Sequence, residues 1–512
     1  MASGPNRREL LRLASALFGG AAVPPLLRVL PARQPAGAAK PNTLILVFDA
    51  WSAPHLPIYG YARDTTPNLT HLAERAVVYH QHYSTANFTT PGTASLLTGV
   101  YPWTHRAFRW SKRVAKAVTG RSIFHSMASH HTIVYSHNPL VNALFDQFRR
   151  RLDDYIPLND MMLTNDGLIQ QLFHGDDDAS SVSWMRTVKE SQNGGYAYSL
   201  LLSKFYRGLQ SRRTAHLERS FPRGLPAIKG DNYFVLEQAV DLLSAEVRRA
   251  PRPFLAYLHF MPPHYPYRTH GDFVNRFSGD GYQAPAKPFD IFGQPRYHRR
   301  LAGPRTEYDE YILYVDREFD RIFRMLEESG MLQDTWLILT SDHGEMFERG
   351  IARHLGETLF QPVIRVPLLI FEPGRTSRLD IHTATSAVDI LPTLLQITGN
   401  PAADWTEGVV LPPYGQGRTS ESSVFAVEAT KNAPDEPLTR ATIAMVKGRY
   451  KLTLFMGYEE LNGGERLELY NIQDDPEELH NLVQSELVTA KEMLAELKAK
   501  LDEVNQPYRQ EA

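Results

Sequence analysis

Three short apolar runs lack the polar alternation of a half-solvated strand: Asn42-Thr43-Leu44-Ile45-Leu46-Val47-Phe48, Phe254-Leu255-Ala256-Tyr257-Leu258-His259-Phe260 and Trp336-Leu337-Ile338-Leu339-Thr340. Continuous hydrophobicity over this length predicts parallel strands covered on both faces. Between the runs the period changes to that of amphipathic helices. Leu69, Leu72, Ala73 and Ala76 form a stripe behind Thr65-Thr66-Pro67, and a second helix starts near Pro91 and carries Ala94, Leu96 and Leu97. From Asn232 onward Val235, Leu236, Ala239, Leu242, Leu243 and Val247 keep helical spacing. Glu307 to Gly330 does so through Ile312, Val315, Phe319, Ile322, Phe323 and Leu326, with Gly330 as a stop. Alternation of strand and helix predicts an α/β fold wound around a mostly parallel central sheet.

Other stretches break this rhythm. Residues 266–304, rich in Pro, Gly, Tyr and Asp, read as a long surface excursion, and residues 174–208 as another variable one; both are placed to shape a pocket. Residues 401–421 read as a linker, followed by strand-like runs over 441–455 and a helix over about 485–504. The expected division is a leader and linker over 1–40, a catalytic domain over 41–400 and a smaller subdomain over 401–512. Asn6-Arg7-Arg8-Glu9-Leu10-Leu11-Arg12 before the apolar run Leu13 to Leu27 resembles a twin-arginine export signal. Pro24, Pro25 and Arg28 interrupt any stable transmembrane anchor, which needs about 20 apolar residues. The expected location is periplasmic or extracellular, and cytoplasmic if residues 6–40 are only a disordered tail.

Composition narrows the chemistry. With 55 Lys plus Arg against 57 Asp plus Glu, a net charge of −2, the chain offers no basic field for nucleic acid. It has no cysteine, which excludes disulfides, thiol nucleophiles and a His/Cys zinc signature. Nothing in the sequence specifies an oligomeric state.

The candidate chemistry sits at the ends of the buried runs. Asp49 follows the first, and Asp342-His343 follow the last by two and three residues. Ligands in open α/β sheets gather beyond the carboxyl ends of strands. Thr89, in Asn87-Phe88-Thr89-Thr90-Pro91-Gly92-Thr93, lies near the positive end of the second helix, which favours an anion. Two carboxylates, an imidazole and a hydroxyl converging there could hold one divalent cation. A metal-dependent ester hydrolase or group transferase acting on a small anionic ester follows.

These residues belong to a longer pattern. Asn42 to Asp49, Tyr59-Gly60-Tyr61-Ala62-Arg63-Asp64-Thr65-Thr66-Pro67-Asn68-Leu69, Thr89-Thr90-Pro91 and Leu96-Leu97-Thr98-Gly99-Val100-Tyr101-Pro102 occur in order. Pro263-His264-Tyr265-Pro266-Tyr267, Thr340-Ser341-Asp342-His343-Gly344-Glu345 and Arg365-Val366-Pro367-Leu368-Leu369 continue it. Glu468-Leu469-Tyr470-Asn471, Asp474-Asp475-Pro476-Glu477 and Asn481-Leu482 complete it. Over about residues 41–482 the chain resembles the sulfatase-like branch of the alkaline phosphatase-like superfamily. The resemblance implies a three-layer sandwich and a divalent metal, zinc, manganese, calcium or magnesium, held by Asp49, Asp342 and His343, with Thr89 as nucleophile and further ligand. It implies a small ester substrate, such as a glycan or lipid headgroup, and His264 as a group that binds its oxygens or protonates the leaving group.

The chain departs from that family at two points. Sulfatases make formylglycine from the Cys or Ser of a Cys/Ser-x-Pro-x-Arg motif, whereas here Thr89 and Thr93 occupy the first and last places. Oxidised threonine would be a ketone, so phosphoryl chemistry by the hydroxyl itself is the leading expectation. A sulfuric ester hydrolase without formylglycine and a binding protein with a decayed site are the alternatives. Ala50 stands where sulfatases carry a second, calcium-binding aspartate, so the site is less suited to calcium. A second ion would need His354 and His264, whose spacing fits the two-zinc pattern poorly, so one metal is expected.

Around this set, His354 is expected to touch metal or substrate, His105 and Arg106 the anion, Asn138 to be a pocket amide and Arg349 to clamp an anionic substrate. Thr93 is a further candidate for contact with substrate. Each has a plainer alternative as a surface, loop or turn residue. Glu345 is expected behind the ligands, and Asp64 to support the loop from Tyr61 to Pro67.

Overall fold

The computed structural model describes residues 40–509 apart from 110–112, 164–211, 213, 229–231, 298–299 and 355. The export-signal reading and the whole of the 174–208 excursion lie outside the described residues. The first apolar run is strand β1 (Asn42–Phe48), buried throughout. It belongs to an eight-stranded sheet with β2 (Val77–Tyr79), β3 (His131–Ser136), β4 (Asp154–Tyr155), β5 (Phe254–Phe260), β6 (Thr335–Thr340), β7 (Leu368–Phe371) and β8 (Leu379–Ile381). Their order is β8-β2-β7-β6-β1-β5-β3-β4. β1 runs parallel to β5 and β6, and β7 is antiparallel to both its neighbours.

Side chains of β1 alternate between two cores, as the pleat requires. Leu44, Leu46 and Phe48 pack with α4 (Leu236–Arg249) and α5 (Ala302–Glu328) through Val240, Leu243, Ile312 and Ile322. The short α1 (Pro67–Leu72) adds Leu69 and Leu72 to that face. Ile45 and Val47 face α2 (Thr89–Thr98), α3 (Pro139–Phe148) and α6 (Ile390–Ile397) through Ala94, Leu97, Val141, Leu144 and Leu391. Helices thus cover both faces of the sheet.

Two helices begin earlier than their spacing suggests. α2 starts at Thr89 and α5 at Ala302, so Pro91 and Pro304 each fall at the third helical position. The first N–H groups of a helix have no intrahelical acceptor, so proline there removes nothing that is needed. α4 starts later than its apolar spacing suggests, because Val235 is still extended.

The C-terminal strands β9 (Ser423–Glu428), β10 (Ala441–Lys447), β11 (Tyr450–Met456) and β12 (Glu465–Asn471) form an antiparallel sheet. Its outer face packs on α7 (Leu487–Arg509) through Ile443, Met445, Leu452, Ala490, Met493 and Leu497. Its inner face joins Val424, Ala426, Ala444, Val446 and Tyr470 to Tyr83, Phe360, Val363 and Ile364. A buried Lys451–Glu478 ion pair reinforces that junction. Lys451 Nζ also donates to Leu359 O at 2.5 Å, and Glu478 Oε2 accepts from Gln361 N at 2.8 Å.

The fold brings the start of α2 against the loop after β6. A Cβ on Gly92 would lie 2.3 Å from Asp342 O, so this approach needs glycine. Gly92→Ala is expected to lower stability by about 1–3 kcal/mol through overpacking, measured by urea or thermal unfolding.

Candidate active site

Asp49 emerges directly from β1, and its N–H bonds Phe260 O at 2.9 Å. The chain then turns sharply, with Ala50 in the left-handed region at φ 61°. That conformation is unfavourable for a residue with a Cβ. It is held by Tyr308 of α5, whose hydroxyl donates to Ala50 O at 2.6 Å and accepts from Ser52 N at 2.9 Å. Ser341 Oγ accepts from Trp51 N at 2.9 Å and lies 2.6 Å from both Phe48 O and His343 O. The ends of β1 and β6 are thereby tied to each other.

The two carboxylates meet in a site closed to solvent: Asp49, Asp342 and His343 are all buried. Asp342 Oδ1 accepts from His343 N at 3.0 Å and Ala50 N at 3.4 Å, while its Oδ2 has no hydrogen-bond partner. Asp49 Oδ2 accepts from Asn138 Nδ2 at 2.6 Å, while its Oδ1 has no such partner. His343 Nδ1 donates to Gly344 O at 2.9 Å, which leaves Nε2 facing Asp49 Oδ1 at 3.3 Å and Asp342 Oδ2 at 3.7 Å. Two orphaned carboxylate oxygens beside an imidazole nitrogen form a donor set suited to a divalent cation. Among the described residues these three form the cluster of acid and histidine side chains able to hold one.

Thr89, the first residue of α2, adds its hydroxyl to this set. Its Oγ1 lies 3.4 Å from His343 Nε2 and accepts from Asn138 Nδ2 at 3.2 Å. Asn138 is itself fixed as the cap of α3, its Oδ1 accepting from Leu140 N at 2.9 Å. Its amide thus links the candidate nucleophile to a candidate metal ligand.

Electrostatics follow from packing these charges together. Burial pushes Asp342 up, and the nearby Asp49 charge adds to that rise. Burial acts the same way on Asp49, but His264, His259 and His343 outweigh it and hold that carboxyl well below its ordinary value. For His343, burial opposes the proton, yet Asp342 and Asp49 prevail and raise it to about 9.

His264 and His354 border the pocket. His264 is half-buried, and its Nδ1 donates to Tyr265 O at 2.6 Å, leaving Nε2 free. Its ring centre is 5.0 Å from that of His354, which in turn is 4.2 Å from that of His343. His354 Nδ1 pairs with Glu345 Oε1 at 2.9 Å. Burial depresses His354 well below its usual value and lifts Glu345 to about 7, so the pair tends towards two neutral partners near neutral pH.

Other expected contacts lie elsewhere. His105 is buried against Ser95 Oγ at 3.1 Å, and burial lowers it to about 3, so it braces α2 as a neutral ring and does not meet an anion. Arg106 donates to Pro434 O and Glu436 O and stacks over Tyr508 at 4.0 Å, joining the C-terminal region. Arg349 donates to Glu477 O at 3.2 Å and Glu478 O at 2.5 Å and covers Phe360, so it fastens backbone instead of clamping substrate. Thr93 is buried on α2 beside Tyr257. Asp64 is exposed, and its loop is held by its neighbours: Arg63 binds Asp309 and Asp280, and Thr65 Oγ1 donates to His55 O at 2.6 Å. Sequence reasoning did not single out His259 or Tyr308. The signal for the first was a lone imidazole near the end of an otherwise apolar strand.

Orphaned acid oxygens at the strand ends and a hydroxyl at a helix start fit an esterase-type enzyme of the α/β sandwich class. The sulfatase family model matches residues 41–135 and 183–400, and the chain belongs to that family. A second model, N-sulphoglucosamine sulphohydrolase C-terminal, matches residues 356–507. Over 465 residues the chain is 25% identical to a choline-sulfatase of Rhizobium meliloti, covering 87% of this chain and 83% of that protein. It is 23% identical, with the same coverage, to the uncharacterized sulfatase YidJ of Escherichia coli. Among solved structures, the phosphonate monoester hydrolase of Agrobacterium radiobacter aligns with a TM-score of 0.64 at 19% identity, covering 90% of this chain and 96% of that one.

A cation must displace the proton of His343 to use its nitrogen. Affinity for manganese or zinc is therefore expected to rise about tenfold per pH unit from pH 7 and to level off near pH 9. The raised imidazole also stabilises metal-free protein fully below its unfolded value of about 6.5 and ceases to as pH rises through about 9. Competitive metal titrations and melting curves of the metal-free protein, both across pH 6–10, check the two slopes.

Proposed function

We propose that this protein is a metal-dependent hydrolase or transferase of phosphoric esters that uses Thr89 as a covalent nucleophile. The observation that carries the reading is the residue at that position. A threonine hydroxyl, which cannot become an aldehyde, lies 3.4 Å from His343 Nε2 beside two buried carboxylates. A divalent cation held by Asp49, Asp342 and His343 would supply the positive charge that lowers the hydroxyl's pKa and draws in the ester's anionic oxygens. Ala50 in place of a second carboxylate, with a nitrogen ligand at His343, favours zinc or manganese over calcium.

The chain's own groups then divide the work. Asn138 orients Thr89 by donating to its Oγ1. The free N–H groups at the start of α2 favour the anionic ester. Thr89 Oγ1, its proton lost to solvent, bonds to phosphorus as the bond from phosphorus to the alcohol oxygen breaks. His264, with Nε2 unengaged, is placed to give that oxygen its proton. Water or a second alcohol then attacks phosphorus, returning a proton to His264, and Thr89 leaves and regains its proton from solvent.

The substrate class is a small anionic ester, with sugars and lipid headgroups as candidate alcohols. Export to the periplasm or beyond is part of the proposal and rests on the arginine pair before the N-terminal apolar run. No helix among the described residues is long and apolar enough to cross a membrane. A second reading, direct sulfuric ester hydrolysis by Thr89, is favoured by the family match.

Wild type and Thr89→Ala should be compared on aryl phosphate, phosphodiester and aryl sulfate with zinc, manganese, magnesium and calcium. Loss of at least about 100-fold in kcat/KM is expected for the variant on its best ester, which should be a phosphate. Mass spectrometry of acid-quenched wild type should find phosphate on the peptide containing Thr89. Activity within about threefold of wild type would remove Thr89 from the reaction.

A further inference from the structure

We propose that His259 is a positioning residue that fixes which oxygen of Asp49 faces the cation; this rests on the reading that Asp49, Asp342 and His343 hold one. His259 is fully buried on β5, level with Val47 of β1 and Ser136 of β3. Its Nε2 lies 3.4 Å from Asp49 Oδ2 and 3.8 Å from Asp342 Oδ2. These distances nearly repeat those of His343 Nε2, at 3.3 and 3.7 Å from the same two carboxylates. Two imidazoles therefore bracket one acidic pair.

Their other nitrogens distinguish their roles. A neutral imidazole carries one N–H and one lone pair. His343 Nδ1 donates to Gly344 O, so Nε2 is the nitrogen left to a cation once its proton is displaced. His259 Nδ1 has no partner. A proton there would be a buried donor with no acceptor, whereas a proton on Nε2 finds Asp49 Oδ2. His259 is thus a donor towards the acids.

Asp49 Oδ2 then receives two N–H groups, from Asn138 at 2.6 Å and from His259 at 3.4 Å. Its rotation is fixed, and Oδ1, without a hydrogen-bond partner, is left to the cation. Hydrogen bonds to ligating side chains of this kind commonly alter metal affinity by about 10–100-fold.

The test uses the full-length protein stripped of metal and titrated with Mn²⁺, Zn²⁺ and Cu²⁺. His259→Leu should weaken Mn²⁺ and Zn²⁺ about 10–100-fold. His259→Gln, which keeps an N–H donor, should recover affinity to within about threefold of wild type. Pulsed EPR of the Cu²⁺-loaded wild type should detect one coordinated imidazole. Two coordinated imidazoles that fall to one in His259→Gln would make His259 a ligand and overturn the proposal, as would unchanged affinity in His259→Leu. Failure of wild type to bind any of these ions would instead reject the underlying metal reading. Should His259→Leu not fold, the copper spectrum of wild type and the affinity of His259→Gln still decide.

Discussion

The structure depends on two carboxylates forced into one dry space. β1 and β6 are neighbouring parallel strands with Val47 level with Thr340, so Asp49 and Asp342, each two residues further on, arrive together at the same edge. Water cannot screen their repulsion, because both are buried. Part of the relief is visible in the surrounding N–H groups: Asn138 and His259 on Asp49, and the Ala50 and His343 backbone on Asp342. What remains is an oxygen on each acid with no hydrogen bond, a pair of donors that suits a cation.

The turn after β1 shows how the same constraint shapes the backbone. Ala50 adopts a conformation that alanine resists, and the resistance is met by hydrogen bonds from Tyr308 and Ser341. Those bonds come from α5 and from the loop after β6, so the acid end of β1 is positioned by elements more than two hundred residues away. Gly92 completes the arrangement by letting α2 approach Asp342 O. The hydroxyl, the acids and the imidazole are thus held by backbone contacts, with little freedom to reorganise when a charge develops between them.

Much of this was legible in the sequence. The three uninterrupted apolar runs are the three central strands, because burial on both faces leaves no polar alternation. Asp49, Thr89, Asp342 and His343 could be grouped from their places at element ends, and the structure brings them together. Asn138 was expected as a pocket amide, with a turn before proline as the plainer alternative, and it bonds Thr89 and Asp49. His105, Arg106 and Arg349 misled because sequence gives a residue's charge but not its direction. Each is buried among partners that a linear reading cannot assign. The three-residue strands β2 and β8 carry too few residues to show a period and are specified by their pairing.

The junction between the two sheets has a wider meaning. Lys451 and Glu478 neutralise each other out of reach of water, and Glu478 also holds Gln361 N while its carbonyl receives Arg349. Arg349 and Gln361 flank the short stretch that ends in His354 and the residues after it. The stretch carrying His354 is therefore anchored at both ends to the last hundred residues of the chain. Its anchors stand 129 and 117 positions further along the polypeptide, so a chain ending before Glu478 would leave this border of the site untied.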